Sequence, residues 1–229
     1  MKTIGLLGGM SWESSAEYYR VMNEEVQRRL GGLHSAKILM HSVDFDAFRS
    51  HMLEEDWDTI ATKLTIAAQG LEKAGADMVV IGTNTMHMVA PQVESGIAVP
   101  MLHIADATAK VVRQQGATKV GLLGTKFTME RDFYRDRLSF NGIESIVPTK
   151  ADRDFVDRVI FDELCKGELN DHSRREYVRI IEELAEQGAE SVILGCTEIG
   201  MLVTPDDTSV AVLDTCRIHG VQCVELALE

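Results

Sequence analysis

The residues from Leu184 to Ile199, LAEQGAESVILGCTEI, carry the clearest signal for both a fold and a site. The order of residue types predicts a helix end, a glycine turn, a buried strand and a polar segment centred on Cys196. An ungapped second copy, LEKAGADMVVIGTNTM, runs from Leu71 to Met86. In this match Thr83 is the counterpart of Cys196, 113 residues earlier (from 83 to 196). The repeat predicts two equivalent strand ends, one with a hydroxyl and one with a thiol.

A second repeat indicates that the chain consists of two similar halves. The residues IGLLGGMSWE, from Ile4, correspond to VGLLGTKFTM, from Val120. Short apolar strands alternate with amphipathic helices in both halves, which is typical of parallel sheets covered on both faces. We therefore predict an α/β protein of two pseudo-symmetric lobes, each a mostly parallel sheet flanked by helices, with the active site in the interlobe cleft. The expected N-terminal lobe is residues 1–104 plus 214–229, and the expected C-terminal lobe is residues 105–213.

Local signals predict where individual helices begin. Ser14, with Glu17 three residues later, fits a capping box at the start of the first helix. Thr128 is expected to cap a helix in the second half. Residues 85–95 form an expected helix that Pro91 shortens or kinks.

Composition and charge exclude several classes of protein. The formal net charge is −13 at pH 7, which opposes binding to phosphate backbones, so nucleic acid is not an expected partner. No run of 18 or more apolar residues predicts a membrane span, and the apolar run of the opening residues is too short for a signal peptide. We expect a cytoplasmic protein without a membrane partner.

The cysteines, histidines and glycines do not form the patterns that metals and common cofactors require. The four cysteines form no CxxC pair, and the seven histidines form no HExxH pattern. The glycines at 5, 8 and 9 depart from the dinucleotide fingerprint GxGxxG. Lys126 is the only lysine near a polar turn, where pyridoxal phosphate would need one. The sequence predicts neither a metal nor a cofactor.

Polar residues follow several of the expected strands. In parallel α/β sheets ligands bind beyond the carboxyl ends of the strands, so these residues are candidates for a substrate site. Together with Met10 in the turn before Ser11, they are Ser11, Thr83, Asn84, Thr85, Thr125, Cys196, Thr197 and Glu198. Short hydrogen-bond donors of this kind suit a carboxylate, although each could instead cap a helix.

Cys196 is the candidate catalytic residue. It follows a buried strand and precedes an expected helix, whose dipole would lower the pKa of the thiol from about 8.5 toward neutrality. A thiolate there could act as nucleophile or base, whereas Cys165, Cys216 and Cys223 are expected to be small buried apolar residues. Glu198 could orient the thiol, receive a substrate amine or serve as a first-turn helix carboxylate. His87 and His103 could approach the site or could be structural.

Five motifs resemble those of the aspartate/glutamate racemase family, which consists of cofactor-independent enzymes with two pseudo-symmetric α/β lobes. They are GLLGGM at 5–10, TNTMH at 83–87, HIADAT at 103–108, GLLGTKFTM at 121–129 and GCTEIG at 195–200. The resemblance spans nearly the whole chain, and the second and last motifs are the specific ones. Family members carry one cysteine in each of these two. The resemblance implies that one thiolate removes the α-proton and the opposite thiol reprotonates the carbanion.

The chain departs from this pattern because Thr83 stands where the first cysteine belongs. A hydroxyl is far less acidic than a thiol, so the two faces of the α-carbon would be served unequally. The nearest resemblance is to a branch of L-aspartate/glutamate racemases with a threonine and a cysteine. It implies that Cys196 deprotonates the L enantiomer, with Thr83 or a water that it holds on the opposite face.

The resemblance also implies a small acidic amino acid as the substrate. The residues that would hold its α-carboxylate and amine are Asn84, Thr85, Thr125 and Thr197. The turn at Met10 and Ser11 would close the site. Arg49, expected in a loop, is in about the place of an arginine that binds the distal carboxylate in aspartate-specific members, although a solvated surface arginine is the alternative. A homodimer of the family type is a further expectation.

Two other functions fit the same residues. A single-cysteine enzyme, such as an arylmalonate-type decarboxylase, needs one thiol to protonate one face of a carbanion, together with an apolar chamber for the departing carboxylate. A binding protein could keep the amino-acid site after losing turnover through Thr83.

Overall fold

The computed structural model describes all 229 residues, Met1 to Glu229, as two compact units. The first comprises Met1–Ile104 and His219–Glu229, and the second comprises Ala105–Ile218. Each unit contains one four-stranded sheet in which every strand pairs parallel to its neighbours. The predicted α/β fold, with a parallel sheet and flanking helices in each of two similar lobes, is confirmed. No helix combines the length and the hydropathy that crossing a membrane requires.

The first unit has the strand order β2-β1-β3-β4, so β1 and β3 are central. Its strands are β1 (Ile4–Gly8), β2 (Ile38–Ser42), β3 (Met78–Ile81) and β4 (Met101–Leu102). Its helices are α1 (Trp12–Leu30), α2 (Phe45–Leu53), α3 (Trp57–Lys73), a 3₁₀ helix (Thr85–Val89) and α4 (Ala90–Ser95).

The second unit repeats this arrangement with the order β6-β5-β7-β8. Its strands are β5 (Lys119–Gly124), β6 (Glu144–Ile146), β7 (Ser191–Gly195) and β8 (Val212–Asp214). The helices from the start of this half onward are α5 (Ile104–Gln114), α6 (Lys126–Glu130), α7 (Asp132–Phe140), α8 (Lys150–Asp162), a 3₁₀ helix (Leu164–Lys166), α9 (Asp171–Glu186), α10 (Ile199–Leu202) and α11 (Thr215–Leu228). The central pairs β1/β3 and β5/β7 are therefore equivalent.

One close approach of a helix to a strand occurs at the same place in both units. A Cβ added to Gly5 of β1 would lie 2.9 Å from Ala76 Cβ and 3.2 Å from Leu71 Cβ. A Cβ added to Gly121 of β5 would lie 3.0 Å from Leu184 Cδ1. Leu71 and Leu184 are counterparts in the sequence repeat. Because each central strand has a glycine at this point, the end of α3 packs directly on β1 and the end of α9 packs directly on β5.

An acidic residue just before β3 and β7 bonds to the segment that leads into each central strand. The Asp77 carboxylate accepts a hydrogen bond from the backbone N–H of Thr3 at 2.6 Å. The Glu190 carboxylate accepts from the backbone N–H groups of Thr118, at 2.7 Å, and Lys119, at 3.0 Å. These backbone bonds lower the pKa of Glu190. The acidic position in the repeat thus has a structural function in both units.

Three helix starts differ from the sequence predictions. Ser11, rather than Ser14, caps α1, because Ser11 Oγ accepts from the backbone N–H of Ser14 at 3.3 Å. Thr125, rather than Thr128, caps α6 through the equivalent bond at 3.3 Å. Pro91 stands in the first turn of α4 and therefore begins a new helix after the 3₁₀ helix. Proline is well tolerated there because the first N–H groups of a helix have no intrahelical partner.

The sequence analysis also missed α2 and placed Arg49 in a loop, which is wrong because Arg49 lies within this helix. Asp44 caps α2 by accepting from the backbone N–H of Asp46 at 3.3 Å. Phe48 and Met52 are its buried residues. Two apolar contacts over nine residues are too few to give a clear helical period in the sequence.

A buried histidine joins α11 to the first unit. His219 Nδ1 lies 2.8 Å from the Tyr18 hydroxyl, and its Nε2 lies 3.1 Å from the carbonyl oxygen of Leu102. A neutral ring satisfies both contacts when Nε2–H donates to the carbonyl and Nδ1 accepts from tyrosine. Burial lowers the pKa of His219 to about 4. The ring is therefore neutral in the folded protein at neutral pH.

Replacement of Gly5 by alanine is expected to lower the free energy of unfolding by about 1–3 kcal/mol, because the new Cβ would crowd Ala76 and the carbonyl oxygen of Met78. Gly70→Ala is the matched control. No atom lies within 4 Å of a Cβ added to this exposed helical residue, so we expect roughly 0.5–1 kcal/mol of stabilisation. Urea unfolding of both variants measures the difference. Equal stability of Gly5→Ala and the wild type would contradict the packing argument.

The buried His219 also predicts a dependence of stability on pH. A histidine with a pKa of about 4 when folded and about 6.5 when unfolded binds more protons in the unfolded state, so its contribution is present above pH 6.5 and is lost as the pH falls toward 4. The His219→Gln variant should be less stable than the wild type at pH 7.5, and this difference should shrink by pH 5. Urea unfolding at the two pH values gives the difference directly. A difference that is independent of pH would contradict a buried neutral histidine.

Candidate active site

Cys196 follows β7 directly and shares a buried carboxylate with its neighbours. Its Sγ donates a hydrogen bond to Glu198 Oε2 at 2.9 Å. The Thr197 hydroxyl lies 2.9 Å from the same oxygen. Cys165 Sγ lies 3.9 Å from the other carboxylate oxygen. Glu198 is 1% exposed and Cys196 is 7% exposed, so the thiol and carboxylate form a pair that is largely removed from water.

The electrostatic environment of Cys196 is opposite to the sequence prediction. Burial raises its pKa well above the ordinary value, and the negative charge of Glu198 raises it further. The predicted lowering by a helix dipole is wrong, because α10 begins only at Ile199, has four residues and is preceded by the Glu198 carboxylate. A helix of one turn has a small dipole, and a negative charge at its start opposes a thiolate. Cys196 is therefore a neutral thiol in the resting protein.

This arrangement can nevertheless produce a thiolate. Glu198 is within hydrogen-bond distance of the Cys196 proton, so it can accept that proton as a general base. Once the carboxylate is protonated, its negative charge no longer opposes the thiolate. Cys196 and Glu198 thus have the geometry of an acid–base pair in which one proton moves between sulfur and oxygen.

Thr83 lies at the equivalent end of β3, and its backbone is held by a histidine. The carbonyl oxygen of Thr83 lies 2.7 Å from His87 Nδ1, and the backbone N–H of Ile104 donates to His87 Nε2 at 3.2 Å. The rings of His87 and His103 are 4.3 Å apart between centroids. Because both ring nitrogens of His87 contact the backbone, the structure favours a positioning role for His87 over a role in proton transfer.

The start of α1 is joined to the ends of the two central strands of the first unit. Ser15 Oγ accepts from the backbone N–H of Gly9 at 2.7 Å and donates to the carbonyl oxygen of Ser11 at 2.9 Å. Ser14 Oγ donates to the carbonyl oxygen of Gly82 at 3.3 Å. The turn after β1 and the turn after β3 are therefore adjacent, and Thr83 is the next residue along the chain from Gly82.

The predicted site residues fall into two groups, one in each unit. At the carboxyl end of the first sheet lie Met10, Ser11, Thr83, Asn84 and Thr85, all of them buried. At the carboxyl end of the second sheet lie Thr125, Cys196, Thr197 and Glu198, also buried. Arg49 belongs to neither strand end, because it is a half-buried residue of α2.

Two of the threonines have partners that limit their roles. Thr125 caps α6, so the capping alternative weighed for this residue holds. The Thr197 hydroxyl contacts Glu198, which leaves its backbone N–H as the more available donor. Sequence reasoning treated Cys165 as an apolar residue, but it is half-exposed and lies beside Glu198. No local pattern links residues that are 33 positions apart, so no sequence signal could identify this contact.

Comparison with known proteins agrees with the motif analysis. Residues 7–223 match the family described as Asp/Glu/Hydantoin racemase. The broad specificity amino-acid racemase RacX of Bacillus subtilis (strain 168) is 23% identical over 215 residues, which are 93% of this chain and 92% of that protein.

Solved structures give the same result. A Yersinia pestis protein provisionally described as an Asp/Glu racemase is 50% identical with a TM-score of 0.92, and an aspartate racemase homologue from Pyrococcus horikoshii OT3 is 37% identical with a TM-score of 0.86. Both comparisons cover 100% of each chain. The family predicted from the motifs is confirmed. The chain belongs to the Asp/Glu/hydantoin racemase family and is an enzyme of the amino-acid racemase class.

Proposed function

We propose that the protein racemises aspartate, glutamate or both without pyridoxal phosphate or another cofactor. Cys196 is the base that acts preferentially on the L enantiomer, and Thr83 serves the opposite face of the α-carbon. The observation that carries this proposal is the buried pair formed by the Cys196 thiol and the Glu198 carboxylate, 2.9 Å apart. It supports proton transfer at one strand end, while the equivalent strand end carries a hydroxyl.

The proposed reaction begins with the L amino acid. The proton of Cys196 moves to Glu198, and the resulting thiolate removes the α-proton, which restores the thiol and leaves a planar carbanion. A water held by Thr83 then gives a proton to the opposite face, and the hydroxide that remains is neutralised by the proton on Glu198 through solvent. Charge that develops on the α-carboxylate is stabilised by Asn84 and Thr85 and by the backbone N–H of Thr197.

The asymmetry of this pair has a specific kinetic consequence. The two enantiomers have equal free energy in water, so kcat/KM must be the same in both directions whatever the two bases are. The difference between a thiol and a hydroxyl therefore affects isotope exchange. After a thiol has taken the α-proton, it exchanges this proton with solvent and can deliver a solvent proton to the same face. Exchange of the α-proton of the L enantiomer should therefore be faster than its inversion to the D enantiomer.

Lys126 does not have the environment of a lysine that carries pyridoxal phosphate. Its Nζ lies 2.7 Å from an Asp154 carboxylate oxygen, and both side chains are more than a third exposed. The hydrogen bond to Asp154 raises the pKa of Lys126, whereas a Schiff-base lysine is activated by a lowered pKa. Arg49 remains the proposed partner of the distal carboxylate, and a homodimer remains a prediction.

Proton NMR of L- and D-aspartate and of L- and D-glutamate in D₂O tests the function. With the wild type, the α-proton signal of an L substrate should disappear faster than that of its D enantiomer. Cys196→Ala should abolish exchange, Thr83→Cys should extend it to the D enantiomer, and Cys165→Ala should leave the L preference unchanged. Absence of exchange with all four substrates would overturn the racemase proposal. Calorimetric binding of L-aspartate would then favour a binding protein, and carbon dioxide release from substituted malonates would favour a decarboxylase.

Replacement of Glu198 by glutamine tests the proton acceptor. Loss of the negative charge should lower the pKa of Cys196, so alkylation by iodoacetamide at pH 7.5 should be at least several-fold faster. Exchange of the α-proton of L-aspartate should nevertheless fall by about 10²–10⁴, because the general base is absent. The experiment is best done with Cys165→Ala in both proteins, since that thiol is half-exposed. Unchanged exchange in Glu198→Gln would show that another group takes the proton.

A further inference from the structure

Under the proposed function, on which this inference rests, the substrate is an amino acid. It therefore carries an α-ammonium group that the site must recognise. A buried carboxylate is the side chain that best compensates such a charge. Glu198 is occupied by Cys196 and Thr197, both at 2.9 Å. A second buried carboxylate near the strand ends would therefore be a better partner for the ammonium group.

Glu13 is a buried carboxylate at the start of α1, close in the chain to the candidate site residue Ser11. It is the second residue of α1, two positions after Ser11, and it is 8% exposed. Its Oε2 is fully buried and has no hydrogen-bond partner. In contrast, the buried carboxylate of Glu25 in the same helix accepts hydrogen bonds from Arg28 and Arg29 at 2.6 and 2.5 Å. Burial in this helix is thus accompanied by cationic partners at Glu25 but not at Glu13.

Ordinary packing of α1 does not account for the burial of Glu13. The face that packs on the sheet includes Ser14, Tyr18 and Met22, all fully buried. At about 100° per residue, Glu13 points roughly 140° away from Tyr18 around the helix axis. A first-turn glutamate gains from the helix dipole, but an exposed side chain gains this without losing its hydration. The dipole therefore explains an acidic residue here and leaves its burial unexplained.

The start of α1 lies at the strand ends that carry the candidate site. Ser14, the next residue after Glu13, donates to the carbonyl oxygen of Gly82 at 3.3 Å. Ser11, two residues earlier, caps the helix. Glu13 is consequently placed on the segment that connects the turn after β1 with the turn that contains Thr83.

We propose that Glu13 binds the α-ammonium group of the substrate and thereby makes the site selective for amino acids over acids that lack the amine. No group of three or more histidine, cysteine, aspartate or glutamate side chains could hold a metal ion in this protein, so an organic cation fits the single carboxylate better than a metal. Cys196 and Glu198 carry out the proton transfer, and Glu13 selects and orients the substrate.

Calorimetry with L-aspartate and with succinate, which lacks the amine, tests this proposal in Glu13→Gln. A lost charge-assisted hydrogen bond should raise the Kd of L-aspartate by roughly 10- to 100-fold, while the Kd of succinate should change by no more than about threefold. Glu13→Asp, which keeps the charge, should lie between the wild type and Glu13→Gln. The control is Glu24→Gln on the same helix, whose exposed carboxylate is paired with Arg20 at 2.7 Å. It should leave both constants unchanged.

Three results would overturn the assignment of Glu13. They are equal weakening of L-aspartate and succinate, no weakening of either, and failure of the wild type to bind L-aspartate more tightly than succinate. Thermal unfolding distinguishes a role of Glu13 in substrate binding from a structural role. Replacing an uncompensated buried carboxylate with an amide should leave the melting temperature unchanged or raise it. A separate measurement tests the racemase proposal, which fails if the wild type does not exchange the α-proton. Binding can be measured in either case.

Discussion

A helix closely approaches a glycine in each central strand, and this contact sets the position of the strand that follows the helix. Leu71 packs at Gly5, and Leu184 packs at Gly121, because neither glycine has a side chain to hold the helix away. The next residues of each repeat form the turn and the strand that pairs with the glycine-containing strand. In both units this pairing is parallel. Both central strands therefore end at the same edge of their sheet, and the polar residues that follow them become neighbours.

Hydrogen bonds at both ends of the central strands keep this register. At the amino ends, Asp77 and Glu190 bind the backbone just before β1 and β5. At the carboxyl end of the first sheet, Ser14 binds the carbonyl oxygen of Gly82, and His87 lies at hydrogen-bond distance from that of Thr83. Ser14 and His87 are buried and contact backbone, so they restrict where the side chains at this strand end can lie more than flexible surface contacts would.

The sequence predicts the central elements well because their signals are local. Each copy of the repeat contains the buried strand that it predicts, β3 in one and β7 in the other, and the repeat reveals the two similar lobes. The misplaced caps at Ser14 and Thr128 arise because several hydroxyl residues stand close together and any of them could bond the first turn. The helix around Arg49 was missed because few of its residues are buried.

The chemistry at the strand ends could be predicted only in part. The sequence identifies Cys196 and Glu198 as neighbours, but the direction of the pKa shift depends on burial and on where the carboxylate points. Both are properties of the folded chain. The burial of Glu13 is of the same kind, since its position in the helix predicts an exposed residue. Contacts between residues far apart in sequence determine these features, so no local pattern contains them.

Burial raises the pKa of Cys196, and the negative charge of Glu198 raises it further. This second cause makes the raised pKa compatible with a role as a base. A proton that moves from Cys196 to Glu198 leaves the pair with the same net charge of one negative unit, so the transfer requires no new buried charge. The repulsion between carboxylate and thiolate disappears in the same step, since the carboxylate becomes neutral. A helix dipole would stabilise the thiolate permanently and would weaken it as a base. In the proposed mechanism, burial and the carboxylate keep the thiol protonated at rest, and the carboxylate accepts its proton during the reaction. Thr83 has neither a thiol nor an adjacent acidic residue in sequence to do the same.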